Sequence, residues 1–228
     1  MRPLTQIIQA WGDSRCQSLA LGSLLAHNPI AYKWKAPFRS FVIRECTFWR
    51  FHDLVSQADH LDLAGHVLGA RILLRSALET TAIIVYLNQQ IERVVNGSLD
   101  FFEFSDKTIK LLMGTRNGTT NYSSINIISI IQSCEKRYPK IESVYATLSE
   151  SAHPNWEGLC FGYSKVDHEE YESLFANRWN ELRGDEFEEL AIIVLQTFEL
   201  EYNVEWIRVM EALESWINVN DKLLERPT

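Results

Sequence analysis

A single apolar segment constrains this chain more than any other feature. Between Ala64 and Leu87 the only fully charged side chains are Arg71, Arg75 and Glu79. Their spacing of four residues places them in one row along a helix that is otherwise apolar on every side, and such a helix belongs at the centre of an all-α fold. Each buried ion is costly unless partners compensate it. The row is therefore either an internal ion-pair network or a working site.

Helical periodicity extends through nearly all of the 228 residues, which include only ten glycines and six prolines. The pattern predicts an all-α, single helical domain covering residues 1–228. Within it we expect an N-terminal helical extension at 1–36 and a bundle core at 37–225. No internal repeat or change of composition suggests a domain boundary.

The last predicted helix is unusually long. It begins near Gly184, where Asp185 and Glu188 have the spacing of a capping box, and continues to Leu224. An unbroken helix of this length would span about 58 Å, which is more than a small domain can cover. We therefore expect its distal apolar face to be buried in a homodimer; that face carries Trp206, Val209, Met210, Leu213, Trp216 and Ile217.

Two segments depart from the helical pattern. The segment 114–124 is rich in Gly, Asn, Ser and Thr and carries Arg116, and loops of this length inside a domain are often functional. The segment 158–166 is the only one that indicates a strand or an extended loop. We expect the first loop to border the functional site.

A second polar row could complete the charged row. Tyr145, Ser149 and His153 follow one another at intervals of four at the end of a predicted helix, and Asn155 lies just beyond. The negative end of a helix dipole favours a protonated imidazole, which suits acid–base chemistry. Together with two arginine forks, such a histidine is suited to phosphoryl chemistry. The candidate catalytic residues are His153, Arg75 and Arg71, with Glu79, Ser149, Asn155, Tyr145 and Arg116 in ligand-binding or supporting roles.

Other interpretations of these residues remain open. Arg71 and Arg75 can pair with Glu79 and with a carboxylate of another helix, so that the network only stabilises the fold. A metal site has two weak indications, the Glu150-x-x-His153 spacing and the group from Asp59 to His66. The first lacks the second copy that a di-iron bundle needs, and the second does not lie on one helix face. We therefore predict no metal and no cofactor.

Composition restricts the classes of function. A net charge of −8 argues against tight, non-specific binding to duplex DNA. The four cysteines are widely spaced and no signal-peptide pattern precedes them, which indicates reduced thiols and a cytoplasmic protein. Charges at 71, 75 and 79 would oppose insertion of the apolar segment into a membrane, so no membrane association is expected.

The two polar motifs resemble those of uncharacterised bacterial all-α proteins related to the HEPN superfamily. The resemblance rests on Ala70-Arg71-x-x-x-Arg75-Ser76-x-x-Glu79 and on Leu148-Ser149-x-x-x-His153-Pro154-Asn155, within residues 40 to 215. It implies a HEPN-like helical bundle that dimerises. The usual motif of that superfamily places Arg four to six residues before His on one helix, whereas Arg75 and His153 belong to different helices.

The resemblance also implies a function. Many HEPN proteins are metal-independent endoribonucleases of toxin–antitoxin and anti-phage defence systems, in which histidine moves the proton of a ribose 2′-OH and arginine stabilises the phosphate charge. We accordingly expect a defence or toxin-type protein that acts on RNA or a nucleotide ligand, with an antitoxin or another defence component as partner. The alternative is a non-enzymatic interaction or regulatory module whose buried Arg/Glu/His network is structural.

Overall fold

The fold is an all-α helical bundle, as the sequence predicts. A computed structural model describes residues 2–225, in which ten α-helices accompany one two-stranded antiparallel sheet. The helices are α1 (Pro3–Asp13), α2 (Leu21–His27), α3 (Lys35–Leu63), α4 (Val67–Val95), α5 (Phe101–Met113), α6 (Ile127–Glu135), α7 (Ile141–Ala152), α8 (Trp179–Arg183), α9 (Phe187–Leu200) and α10 (Trp206–Leu224); the strands are β1 (Ser164–Asp167) and β2 (Glu172–Phe175).

The arginine-bearing helix α4 is the centre of the bundle. It packs against α3, α5, α6, α7, α9 and α10, and most of its apolar residues are buried, although Ile72 is exposed. The turn from α3 to α4 is short because Gly65 adopts a φ of 76°, a left-handed conformation that glycine tolerates without strain. The prediction of a central helix from its all-round apolar character is thus confirmed.

The C-terminal helix extends from Phe187 to Leu224 with one irregular turn. A π-helical segment at Glu201–Glu205 separates α9 from α10. Such a turn frees backbone carbonyls from the regular ladder. The carbonyl of Glu201 accepts the amide of Trp206 and also a hydrogen bond from Asn88 over 3.1 Å, and the carbonyl of Tyr202 accepts one from Arg44 over 3.1 Å. These hydrogen bonds connect the long helix to α3 and α4.

This packing overturns the argument for a homodimer that we drew from helix length. The distal face is not free, because it lies against the hydrophobic core of its own chain. Trp216 is partly buried and stacks on Phe101 with ring centroids 5.7 Å apart. The other five residues of the face are buried at 4% exposure or less: Trp206, Val209, Met210, Leu213 and Ile217. Because the chain itself covers the predicted face, the length of the helix gives no reason to expect a partner.

Two local assignments need correction. Of the segment predicted as a strand or an extended loop, 158–166, residues 158–161 belong to a π-helical turn at Trp156–Phe161, and residues 164–166 form most of strand β1. Strand β2 and helix α8 were not predicted from the sequence.

Among the described residues, no helix is both long and apolar enough to cross a membrane. The N-terminal extension packs on the bundle, and Leu4 and Ile8 of α1 are core residues.

Candidate functional site

The charged row of α4 lies against the polar row of α7. Arg71 is completely buried, and its Nε donates to Ser151 Oγ over 2.8 Å. One terminal nitrogen donates to Glu186 Oε2 over 2.9 Å, and the other donates to the carbonyl of Thr147 over 3.3 Å. All three nitrogens of this guanidinium group are therefore occupied within the chain.

A second layer of charges surrounds Arg71. Arg183 pairs with Glu186 over 2.7 Å and with Glu157 over 3.0 Å, and Glu157 also accepts a hydrogen bond from Ser151 over 3.0 Å. Burial alone would raise the pKa of Glu186, but the guanidinium groups of Arg183 and Arg71 outweigh it and lower that pKa. The carboxylate is thus held in its charged form. This group of residues is an internal network that joins α4, α7 and the turn before α9.

Arg75 lies one turn further along α4, half-buried. Its Nε donates to Ser149 Oγ over 2.9 Å, and one terminal nitrogen donates to the Tyr145 hydroxyl over 2.7 Å. The same nitrogen is 3.1 Å from Glu79 Oε1, to which Tyr145 also donates over 3.2 Å. The remaining terminal nitrogen of Arg75 has no partner among the described residues. Five predicted site residues, Arg71, Arg75, Glu79, Tyr145 and Ser149, are thus brought together.

The other residues of the predicted turn lie outside this group. The imidazole of His153 is exposed beyond the C-terminal end of α7 and forms no hydrogen bond with residues 2–225. Asn155 donates to Glu150 over 2.6 Å and accepts from the amide of Gly158 over 3.0 Å, so it caps the following π-helical turn. Neither side chain bonds to Arg71 or Arg75, so the polar rows meet through Tyr145, Ser149 and Ser151 instead.

Arg75 and Glu79 open onto a cleft of about 670 Å³ between α3 and α4. The end of α5, the loop at 114–124 and the start of α6 complete its walls. The cleft holds three arginines and, among the described residues, a single carboxylate. Its lining comprises Ile43, Cys46, Thr47, Arg50, Arg75, Glu79, Thr80, Ile83, Leu111, Leu112, Arg116 and Ile127.

Arg116 is placed in the cleft by a loop that closes on itself. The amide of Thr115 donates to the carbonyl of Tyr122 over 2.8 Å, and the amide of Ser124 donates to the carbonyl of Thr115 over 3.3 Å. At Gly114 a Cβ atom would lie only 2.3 Å from the carbonyl oxygen of Lys110, so the loop needs glycine there. Arg116 itself is exposed and has no hydrogen bond or ion pair within residues 2–225. The loop therefore borders the cleft onto which Arg75 and Glu79 open, whereas no residue of the turn at 149–155 lines that cleft.

Arg50 is the site residue that sequence reasoning missed. Its Nε donates to Thr80 Oγ1 over 3.2 Å, while both terminal nitrogens lack partners among the described residues. Spacings of four and seven residues place Thr47 and Arg50 on the same face of α3 as Ile43. That spacing alone could have grouped them, but it does not show that this face lies opposite Arg75.

The structure offers little for either metal interpretation. Glu150 bonds to Asn155, and Asp59 and Asp62 both pair with Arg2, at 2.6 and 2.7 Å. Throughout the described part of the chain, no three His, Cys, Asp or Glu residues form a group that could hold a metal ion. The arrangement that does stand out is the set of guanidinium donors in the cleft, which suits an anion.

Comparison with protein-family models, with curated proteins and with solved structures gives no significant match.

Proposed function

We propose that the cleft between α3 and α4 binds a phosphate-bearing ligand, either RNA or a nucleotide, in a HEPN-like defence or toxin-type protein. One observation carries the proposal: three arginines share a cleft of about 670 Å³ with one carboxylate, in a chain whose net charge is −8. Positive charge concentrated in a concave site of an acidic protein attracts anions locally. Phosphate oxygens match the planar forks of arginine.

The donors of the cleft support this proposal in number and placement. Arg50 keeps two free terminal nitrogens, Arg75 keeps one, and the guanidinium of Arg116 is wholly free of partners within the described residues. Charge-assisted hydrogen bonds to phosphate are about twice as strong as neutral ones. Arg71 differs in this respect, because each of its three guanidinium nitrogens donates to a partner within the chain.

Binding is better supported than catalysis. In a ribonuclease mechanism His153 would act as the proton shuttle, but this residue is absent from the lining of the cleft and exposed elsewhere. The alternative of a non-enzymatic interaction or regulatory module gains support from Arg71, whose three guanidinium nitrogens all donate to partners within the chain. We assign Arg71 a structural role behind the site and the ligand contacts to Arg50, Arg75 and Arg116.

Fluorescence anisotropy with a labelled short RNA, competed by a mixture of nucleotides, tests the proposal. The double variant Arg50→Gln/Arg116→Gln removes two charges from the cleft without touching the Arg71 network, so we expect at least a tenfold loss of affinity. Arg93→Gln is the matched control, because Arg93 is exposed on α4 and does not line the cleft. Equal affinity of the double variant and the control would refute the proposal.

Catalysis is tested in the same samples by incubating RNA in the presence of a chelator. The ribonuclease form of the proposal requires cleavage without metal and cell toxicity on expression, both dependent on His153. The homodimer and the antitoxin or defence partner stay predictions from the family resemblance. Light scattering tests the homodimer, and cell growth on co-expression with a candidate partner tests the antitoxin or defence partner.

A further inference from the structure

We infer that the ligand of the cleft is a mononucleotide, a single nucleoside bearing one phosphate group, rather than a strand of RNA. The inference rests on the proposed function and narrows its ligand class. Three properties of the cleft point the same way: the presence of both apolar and charged side chains in its lining, its net charge, and its volume.

The lining has an apolar part as well as a charged part. Aliphatic side chains from four elements contribute to it: Ile43 from α3, Ile83 from α4, Leu111 and Leu112 from α5, and Ile127 from α6. A site for phosphate alone has no use for such a surface, because apolar groups gain nothing from contact with an anion. The flat face of a nucleobase does gain from it, since burying apolar surface is favourable.

The charge of the cleft matches one phosphate monoester. Three arginines against Glu79 leave a net charge of +2. A phosphate monoester carries about −1.5 to −2 at pH 7. Glu79 is already held by Arg75 and Tyr145, so it would orient the arginine without repelling a phosphate as strongly as a free carboxylate would.

The size of the cleft fits one small molecule. Pockets for small ligands are commonly about 300–1,000 Å³, and the cleft falls within this range at about 670 Å³. A polar recess of about 530 Å³ adjoins it and shares Arg116; Thr115, Ser123, Ser124 and Asn126 line the rest. Hydroxyl and amide groups of this kind suit ribose hydroxyls. Single-stranded RNA is instead held by an extended basic groove that follows its backbone, and the net charge of −8 does not favour one.

Isothermal titration calorimetry on the full chain tests the inference. The probes are the four nucleoside 5′-monophosphates, the corresponding nucleosides, inorganic phosphate and a ten-nucleotide RNA. We expect at least one monophosphate to bind at least tenfold more tightly than its nucleoside, than phosphate and than the RNA. Both halves of the ligand are then tested by variants.

The double variant Arg50→Gln/Arg116→Gln should bind that monophosphate at least tenfold more weakly than the wild type does. Leu112→Gln should lower the affinity for the monophosphate about three- to tenfold and leave the weak affinity for phosphate unchanged, because Leu112 belongs to the apolar lining. The matched controls are Arg93→Gln and Leu223→Gln, the latter at an exposed position of α10. Circular dichroism and thermal unfolding establish that each variant is folded.

The possible outcomes are distinguishable. If the RNA binds in an arginine-dependent way and no monophosphate does, the inference is overturned and the proposed function stands. If phosphate binds as tightly as every monophosphate, the nucleoside contributes nothing and the inference is again overturned. If the folded protein binds none of the probes, or if the arginine variants bind as the controls do, the inference and the proposed function both fail.

Discussion

Replacing Arg71 separates the contribution of its charge from that of its volume. The Arg71→Met variant removes the guanidinium but keeps a long side chain that can fill the space. Its three hydrogen bonds are lost, yet no charged partner is left alone: Glu186 keeps Arg183 at 2.7 Å, and Ser151 keeps Glu157 at 3.0 Å. We expect this variant to be nearly as stable as the wild type.

The magnitude follows from two opposing terms. Hydrogen bonds to charged groups contribute about 1.5–3 kcal/mol each. Taking the guanidinium out of water costs several kcal/mol, and replacement of buried ions by apolar side chains of similar volume is often neutral. We therefore expect Arg71→Met to lower the free energy of unfolding by no more than about 1.5 kcal/mol. Arg71→Ala loses the same bonds and also leaves a cavity, so it should cost about 3–5 kcal/mol, as large-to-small core substitutions do.

Urea denaturation followed by circular dichroism measures both variants under the same conditions. The slope of the free energy against urea should stay the same as in the wild type, so that the midpoints report stability alone. If Arg71→Met lowers the free energy of unfolding as much as Arg71→Ala does, the charge itself holds α4 against α7 and the argument from volume is wrong. In that case the network around Arg71 is a specific ion-pair structure that apolar packing cannot replace.

Four further predictions concern other parts of the molecule. Arg75→Ala should weaken nucleotide binding at least tenfold in calorimetry and cost only about 1–2 kcal/mol of stability, because Tyr145 still donates to the carboxylate that loses its arginine; unchanged binding would contradict the site assignment. His153→Ala should alter stability by less than about 0.5 kcal/mol, since the side chain is exposed, and should abolish any metal-free RNA cleavage or cell toxicity; activity that persists would exclude His153 as the proton shuttle. Burial raises the pKa of Glu214 despite its pairing with His27. The stability linked to this carboxyl is therefore fully present below its ordinary pKa of 4.5 and is lost as the pH rises through the raised pKa. The free energy of unfolding of Glu214→Gln, measured relative to that of the wild type, should increase between pH 4 and pH 7, and a constant difference would refute the shift. Gly114→Ala should displace the loop that carries Arg116, because of the close carbonyl of Lys110, and should weaken nucleotide binding in calorimetry while leaving the thermal unfolding of the bundle nearly unchanged; wild-type affinity would show that this loop does not position a ligand contact.

Local pattern determined the helices of this protein. The all-round apolar character of α4 identified the central helix, because the spacing of apolar residues along a helix determines which of its faces must be buried. The start of α5 is equally local: Asp100 accepts hydrogen bonds from the amides of Phe102 and Glu103. The sequence also placed Arg75, Glu79, Tyr145 and Ser149 among the candidates. Their opposition across α4 and α7 followed from the expectation that buried charges need polar partners.

Tertiary structure alone decided which residues complete the site. Arg50 lies 25 positions before Arg75, and no short-range pattern links the two; they share a cleft because α3 folds back along α4. The partner of Arg71 proved to be Glu186, at 115 positions of separation, rather than His153 at the end of the neighbouring helix. Helix periodicity is set by contacts within a few residues, whereas the pairing of faces depends on how all the helices pack together. For the same reason helix length suggested an uncovered face on α10, while packing within the chain buries it.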